Sequence, residues 1–277
     1  MNFIKQLILI TVLCVFSIQM NAQHKIMTYN IRLDYTAKNS DPWSVRKSKV
    51  FEQIKSSGVA VFGIQEGMPN QIEDFKNAFP NFEMEGVGRD DGANKGEYSA
   101  VFYKRDLFEK LEGGTFWLSE TPNIPSKGWD AALNRVCSYV RLKDHSGKIF
   151  WVFNTHFDHI GEQARINSID LILSKVNELN IHKEPYIVQG DLNLNDDHSA
   201  IKSLQSKLSD ALLVAQKLKS KINKTFNGFD LTKEADRRID YIFVSEGIRV
   251  KSFLTLIETY GISYPSDHYP LIAQLKF

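Results

Sequence analysis

The stretch Pro185-Tyr186-Ile187-Val188-Gln189-Gly190-Asp191-Leu192-Asn193 restricts the fold more than any other part of the chain. Tyr186 to Val188 is a short apolar run that reads as a buried β-strand. It stops at Gly190, and an acid and an amide follow, two residues apart. A carboxylate at the mouth of a buried strand is costly unless something there uses it. The question is what Asp191 and Asn193 face.

The same pattern recurs along the chain. Tyr29 leads to Asn30, Val61–Gln65 to Glu66, and Trp151–Thr155 to His156. Asp240 opens Tyr241–Val244, and Asp267-His268 open the last apolar run. Strand ends are where a sheet brings sequence-distant side chains onto one rim. Hydrophobic periodicity predicts helices over 43–57, 68–79 and 161–179, and one or two more within 198–220. Strands are expected over 24–32, 59–65, 82–87, 97–103, 111–118, 136–142, 148–156, 186–188, 238–245, 248–257 and 269–277. Asp144-His145-Ser146-Gly147 is a hairpin turn between two of them. Gly86–Gly92 has the wrong glycine spacing for a dinucleotide loop and no helix follows, so it reads as a plain loop. Residues 119–134 hold Pro122, Pro125 and Gly128 without periodicity, a long loop of the kind that often carries function. No linker or repeat interrupts 23–277, which is expected to form one α/β domain.

Residues 1–22 are expected to lie outside that domain. Lys5 precedes an apolar run, Leu7 to Ile18, and Ala22 follows. This is the pattern of a secretory signal cut near Ala22. The run is shorter than the ~20 residues a spanning helix needs, so an exported protein with no stable membrane span is expected, and a monomer. Of the 34 Lys and Arg, Lys5 falls in the signal, which leaves 33 basic against 33 acidic residues. A neutral mature chain lacks the cationic surplus on which binding to long nucleic acid rests. Cys137 alone remains of the cysteines, so no intramolecular disulfide is expected, and its apolar setting reads as an inert core thiol.

The polar residues at the strand ends are two His, several Asp, one Glu and two Asn, without Cys. That donor set suits Mg²⁺ or Mn²⁺ better than structural zinc. Mg²⁺ takes one or two carboxylates and completes its shell with water and phosphate, so Glu66 alone can be the main anchor. No Gly-x-Ser-x-Gly elbow, phosphate-binding P-loop, His-Glu-x-x-His or Cys-x-x-Cys is present. Taken singly, each residue has a plainer reading. Asn30 is also a turn amide, Glu66 a helix cap and His156 a satisfied core histidine. Asp191 with Asn193 is also an Asx turn, and Asp240 a surface partner for Arg237 or Arg238.

Seven motifs in order carry a resemblance: Thr28-Tyr29-Asn30-Ile31-Arg32, Gln65-Glu66, Glu97-Tyr98-Ser99-Ala100-Val101-Phe102-Tyr103, Asn154-Thr155-His156, Gly190-Asp191-Leu192-Asn193, Arg238-Ile239-Asp240-Tyr241-Ile242 and Ser266-Asp267-His268-Tyr269-Pro270. Together they resemble the endonuclease/exonuclease/phosphatase (DNase I-like) superfamily, and Gly114-Thr115-Phe116-Trp117-Leu118-Ser119-Glu120-Thr121-Pro122 with Trp129, Asp130 and Arg135 resembles its exported bacterial members. The resemblance implies a four-layer α/β sandwich: two packed mixed β-sheets flanked by helices. It also implies metal-dependent hydrolysis of phosphate esters. On that pattern Glu66 is the principal metal ligand, with Asn30 and Asp267 beside the metal. Asp191 orients or deprotonates the attacking water, and Asn193 holds the phosphoryl group. His268 contacts the scissile phosphate with Asp240 behind it, and His156 contacts phosphate from the other side. Trp129, Asp130 and Arg135 at the end of the long loop, Arg165 in the helix after His156, and Tyr98 are candidate substrate-binding residues.

The implied activity is phosphodiesterase or nuclease chemistry by metal-assisted in-line water attack, with short or single-stranded nucleic acid as a possible partner. A sphingomyelinase-like activity and a sugar or inositol phosphate phosphatase are the alternatives. A non-catalytic binding module on the same scaffold is disfavoured, because Glu66, Asp191 and His268 are all present.

Overall fold

The structure, a computed structural model, describes residues 23–35, 41–261 and 263–277; the expected signal segment, 1–22, lies outside the described residues. Twelve strands and five helices follow in the order β1 (Gln23–Asn30), α1 (Trp43–Ser57), β2 (Val61–Gln65), α2 (Pro69–Ala78), β3 (Phe82–Glu85), β4 (Val101–Lys104), β5 (Phe108–Trp117), β6 (Val136–Asp144), β7 (Ile149–His156), α3 (Glu162–Leu179), β8 (Tyr186–Asp191), α4 (Ser199–Gln205), β9 (Ser209–Asp210), α5 (Ala211–Val214), β10 (Asp240–Val244), β11 (Arg249–Thr255) and β12 (Leu271–Lys276).

They form two mixed six-stranded sheets, ordered β11-β12-β1-β2-β4-β3 and β5-β6-β7-β8-β10-β9. Only β1 with β2 and β7 with β8 pair in parallel; the other pairs are antiparallel. Alternation along each strand assigns its two faces. Met27, Tyr29, Phe62, Ile64 and Phe102 point outward and pack under Trp43, Val50 and Ile54 of α1 and Ile72 and Phe75 of α2. Trp151, Phe153, Val188, Tyr241 and Phe243 do the same beneath α3 and α4. The opposite faces meet between the sheets, where Ile26, Val61, Val152, Ile187, Ile242 and Val244 share one core. The result is the four-layer sandwich that the sequence motifs imply.

The inner faces change character along the strands. Ile26 is followed two residues later by Thr28 and then Asn30, Val61 by Gly63 and Gln65, Val152 by Asn154 and His156, and Ile187 by Gln189 and Asp191. An apolar floor therefore gives way to a layer of amides and then to a rim of polar side chains. The amide layer joins the sheets. Gln65 Nε2 donates to Asn154 Oδ1 (2.7 Å) and Thr28 Oγ1 (3.0 Å). Asn154 Nδ2 donates to the carbonyls of Ile64 (2.9 Å) and Ala100 (3.1 Å), and Gln189 Nε2 to that of Met27 (3.0 Å). Gly63 makes room for this layer, since a Cβ there would lie 2.1 Å from Asn154 Oδ1.

Most elements differ from the expectation by a few residues at their ends, and two regions differ by more. The strand expected over 97–103 is ordered only from Val101, and Tyr98 pairs with Gly67 as an isolated bridge. The helical region expected over 198–220 is broken by β9, leaving the short α4 and α5.

Candidate active site

Backbone register sets the rim. Asp191 ends β8 between His156 on β7 and Asp240 on β10, its direct partners in the ladder. Asn30 ends β1 opposite Gln65, the residue before Glu66. His268 arrives from the turn before β12. Where the strands end, the chain turns sharply: Arg32, Glu66 and Asn193 all take left-handed φ values of 58°, 63° and 49°. This conformation costs a non-glycine residue about 1 kcal/mol or more, and such strain collects at functional sites.

Asp191 is 1 % exposed. Its Oδ2 accepts from Asn30 Nδ2 at 3.0 Å, and its Oδ1 from the Asn193 N–H at 2.9 Å. The Asx turn is therefore real and coexists with an inward-facing carboxylate. Nε2 of His156 and of His268 lie 3.5 and 3.8 Å from Oδ2. Burial, with the Asp240 carboxylate adding to it, pushes the Asp191 carboxyl up to about 7.

His268 Nδ1 lies 2.9 Å from Asp240 Oδ2. Burial alone would favour the neutral ring, but Asp240 outweighs it and raises the imidazole to about 10. At neutral pH His268 is an imidazolium with Nε2–H facing Asp191. Asp240 is not a surface partner of the neighbouring arginines, because Arg238 is taken by a buried bidentate pair with Asp210 at 2.6 and 2.7 Å.

His156 behaves oppositely. Burial, then Arg135 and Arg89, hold its pKa well below the ordinary value, so the ring is neutral. Asn193 Nδ2 donates to the Phe157 carbonyl (3.0 Å) and lies 3.2 Å from His156 Nε2. If Nε2 accepts, the ring proton sits on Nδ1, which has no hydrogen-bond partner.

Glu66 is 7 % exposed, with Oε1 accepting from Asn30 Nδ2 (3.0 Å) and Oε2 from the Leu33 N–H (2.9 Å). It does not cap α2, whose first turn is closed by Gln71 on the Met68 N–H. Asp267 is under-bonded. Its contacts are Ser266 Oγ at 3.4 Å and Arg32 Nε at 3.7 Å, and Arg32 Nη1 stands 3.6 Å from Glu66 Oε2. Burial, and then Glu66, raise the Asp267 carboxyl. Asp267 is buried and short of partners, and each Glu66 oxygen accepts a single hydrogen bond, so both are hard oxygen donors that fit a divalent cation. Asn30 lies beside them, its own Oδ1 accepting the Arg32 N–H at 3.1 Å. Asp191, Asp240 and His268 also bring one ligand atom each to within 4.8 Å of one another. That trio is a poorer cage, because His268 is already engaged by Asp240 and is cationic.

A search of protein-family models matches residues 27–268 to the Endonuclease/Exonuclease/phosphatase family. The chain belongs to this family. A mannosyl-6-phosphatase from Bacteroides thetaiotaomicron is 38% identical, with a TM-score of 0.88 over 92% of this chain and 100% of that one. An endonuclease/exonuclease/phosphatase family protein from the same organism is 37% identical, with a TM-score of 0.88 over 93% and 98%. The human Nocturnin catalytic domain with bound sulfate, at 22% identity and a TM-score of 0.74 over 92% and 94%, shares the fold. Endonuclease/exonuclease/phosphatase enzymes are phosphoesterases, and the present chain carries the complete set of polar strand ends described above.

The expected substrate rim is only partly assembled. Arg135 is buried beside the site, with Nη2 3.0 Å from His159 Nδ1 and Nε 3.4 Å from Asp158 Oδ2. Arg165 reaches the Asp158 carbonyl at 3.2 Å, and Trp129 is half-buried with φ 48°. Asp130 does not face this group. Its carboxylate accepts the N–H groups of Ala164 (2.7 Å) and Gln163 (3.2 Å) and closes the N-terminus of α3. Tyr98 is not on the rim either. It is 5 % exposed, packs with the core beneath α2, and its hydroxyl donates to the Ala93 carbonyl at 2.9 Å.

Sequence reasoning missed several supporting residues. Arg89, in the loop read as plain, is buried and donates to Glu97 Oε2 at 2.8 Å; the same oxygen lies 3.9 Å from His156 Nδ1. Thr225 Oγ1 accepts from the Asp240 N–H (3.1 Å), and the Phe226 ring meets His268 edge-on at 5.1 Å. Arg46, 1 % exposed, donates to the carbonyls of Ile31 (2.9 Å), Pro265 (2.7 Å) and Arg32 (3.1 Å). It thereby ties the end of β1 to the turn that carries Asp267 and His268. A buried arginine on an amphipathic helix was the only available signal, and an exposed one leaves the same trace in sequence.

Proposed function

We propose that the chain is an exported, divalent-metal-dependent phosphohydrolase that hydrolyses the phosphate monoester of a sugar, transferring the phosphoryl group to water and releasing the sugar hydroxyl and inorganic phosphate. The reading rests above all on one observation: the raised Asp191 carboxyl faces the His268 imidazolium on a buried rim, beside the Glu66 carboxylate and the under-bonded Asp267.

Each residue then has a task. Glu66, Asn30 and Asp267 would hold Mg²⁺ or Mn²⁺. A cation there supplies charge withdrawal from the phosphoryl group. Asp191, fixed through both oxygens by Asn30 and the Asn193 N–H, takes a proton from the attacking water at Oδ2. His268 Nε2–H donates to the phosphoryl oxygen on which charge develops, and Asp240 keeps that ring protonated and aimed. His156, a neutral ring with Nε2 3.5 Å from Asp191 Oδ2, would contact the phosphoryl group from the other side. Asn193, with its amide turned to His156 and the Phe157 carbonyl, positions that histidine. Arg32, Arg89 and Arg135 each stand against a carboxylate, so the bound cation and His268 would supply the positive charge that a dianionic monoester requires. Trp129 and Arg165 would meet the sugar.

A monoester of a sugar is favoured over long nucleic acid for two reasons. The chain without residues 1–22 is neutral, and the relative named as a mannosyl-6-phosphatase aligns over its whole length. The test is a comparison of kcat/KM for mannose 6-phosphate, a chromogenic diester, short RNA and DNA, and sphingomyelin, each with Mg²⁺ or Mn²⁺. The monoester should lead by about 100-fold, the scale on which a site built for one set of polar groups rejects another. Faster turnover of the diester or an oligonucleotide would establish a phosphodiesterase instead, and faster turnover of sphingomyelin would place the chain with the lipid-cleaving branch.

A further inference from the structure

Charge is mixed along most of this chain, but not between Asp210 and Asp230. That interval contains no acid and four lysines: Lys217, Lys219, Lys221 and Lys224. Lys224 is paired with Asp196 at 3.2 Å, whereas Lys217, Lys219 and Lys221 are exposed. Large aliphatic side chains lie among them in the open, with Leu213 67%, Leu218 54% and Val214 47% exposed. Leu213, Leu218, Lys219 and Lys221 line one hollow together with the buried Leu212. Lys219 also borders the next hollow, where Glu258 is the one acid.

The segment is held firmly. The Gln216 and Lys219 N–H groups donate to the carbonyls of Val250 (3.0 Å) and Phe253 (2.8 Å), and the Phe253 N–H to that of Lys217 (3.0 Å). It thus runs along the outer edge of β11, on the flank of the sandwich rather than at the strand ends that carry the site. Lysines on a sheet edge commonly serve to block edge-to-edge pairing. Three exposed aliphatics beside them work against that purpose, because they add apolar surface where none is needed.

We propose that this flank is a docking surface for an anionic phospholipid membrane. A lipid surface is the partner that matches both halves of the pattern. Its headgroups attract the lysines, and its acyl boundary accepts Leu213, Val214 and Leu218. A nucleic acid or acidic polysaccharide would satisfy the lysines and leave the aliphatics in water. The attachment is peripheral: among the described residues no helix is long and apolar enough to cross a membrane. It is independent of which ester is cut, and it would hold a diffusible enzyme against a cell surface.

The test is co-sedimentation of the full chain with phosphatidylcholine vesicles, with and without phosphatidylglycerol, at low and high salt. Two variants accompany it: Lys217→Gln with Lys219→Gln and Lys221→Gln, and Leu213→Ser with Leu218→Ser. All carry the same residues 1–22, so differences among them report the flank. Binding should need phosphatidylglycerol and fall steeply with salt. The lysine variant should lose roughly 100-fold in affinity, about fivefold per lysine, and the leucine variant at least about tenfold. Turnover of a soluble phosphate ester should stay unchanged in both. Equal binding to both vesicle types, or undiminished binding by the lysine variant, would overturn the proposal. So would a leucine variant that binds as the wild type does while heparin competes fully, since the partner would then be an acidic polymer.

Discussion

At the scale of single residues, the site is a set of opposed protonation states. Asp191 is pushed up by burial and Asp240, His268 is pushed up by Asp240 against its burial, and His156 is held down by burial and two arginines. In the proposed mechanism the base is ionised and His268 protonated for turnover. Activity should therefore rise with pH along a limb no higher than about 7, since a bound cation lowers the Asp191 value further, and decline through about 10. In Asp240→Asn the support for the imidazolium is lost, and the alkaline limb of the kcat profile should move down by about two pH units. The same group carries a sign for stability. His268 binds its proton more tightly in the folded chain, so its contribution is whole below about 6.5 and vanishes as pH rises through about 10. Thermal melts of wild type and Asp240→Asn should thus converge at high pH, and divergence there would contradict the assignment.

At the scale of elements, the strand ends matter more than the strands. Gly190 takes φ +140°, and a Cβ there would lie 1.9 Å from the Thr155 carbonyl oxygen. Gly190→Ala should destabilise the fold by about 3 kcal/mol or more and displace Asp191 with it, seen as a lowered urea midpoint with an unchanged m value. This region was legible in the sequence because an acid and an amide directly after a buried apolar run are costly unless a site uses them. Glu66 and His156 were legible for the same reason. The helix boundaries of α1 and α3 followed from periodicity and from Gly58 and Gly161 at their ends. What was hidden depended on contacts between elements distant in sequence. Tyr98 sits in a motif with site residues yet turns into the core, and Asp130 lies beside Trp129 yet serves α3. Arg46, Arg89 and Thr225 support the site from segments whose local pattern is ordinary, and only the packed structure joins Arg46 to Pro265.

At the scale of the whole molecule, two sheets are joined by amides just beneath the polar rim. Asn154 serves the Ile64 and Ala100 carbonyls and Gln65 together. Asn154→Ala leaves these buried groups unpaired and should cost about 2–4 kcal/mol, measured by urea denaturation. Activity should fall with it even at saturating substrate, because Asn30 and His156 stand one step above that layer on opposite sheets. The carboxylate cluster makes a separate prediction. A cation that binds only the folded chain stabilises it by about 2.7 kcal/mol at one hundred times its Kd, which corresponds to a rise of roughly 5–10 °C in Tm. Mg²⁺ or Mn²⁺ should produce that rise in the wild type and not in Glu66→Gln. An equal rise in both would remove Glu66 from the metal site.

The central claim is that Asp191 activates water for a metal-assisted attack on a phosphate ester. It is tested most directly by turnover of the preferred ester by wild type and Asp191→Asn, each with Mg²⁺ and with a chelator. The substitution keeps the shape of the side chain and removes the base. It should lower kcat by about 10²–10⁴-fold with little change in KM, and chelation should abolish turnover in the wild type. Turnover that survives both the chelator and the substitution would contradict the account.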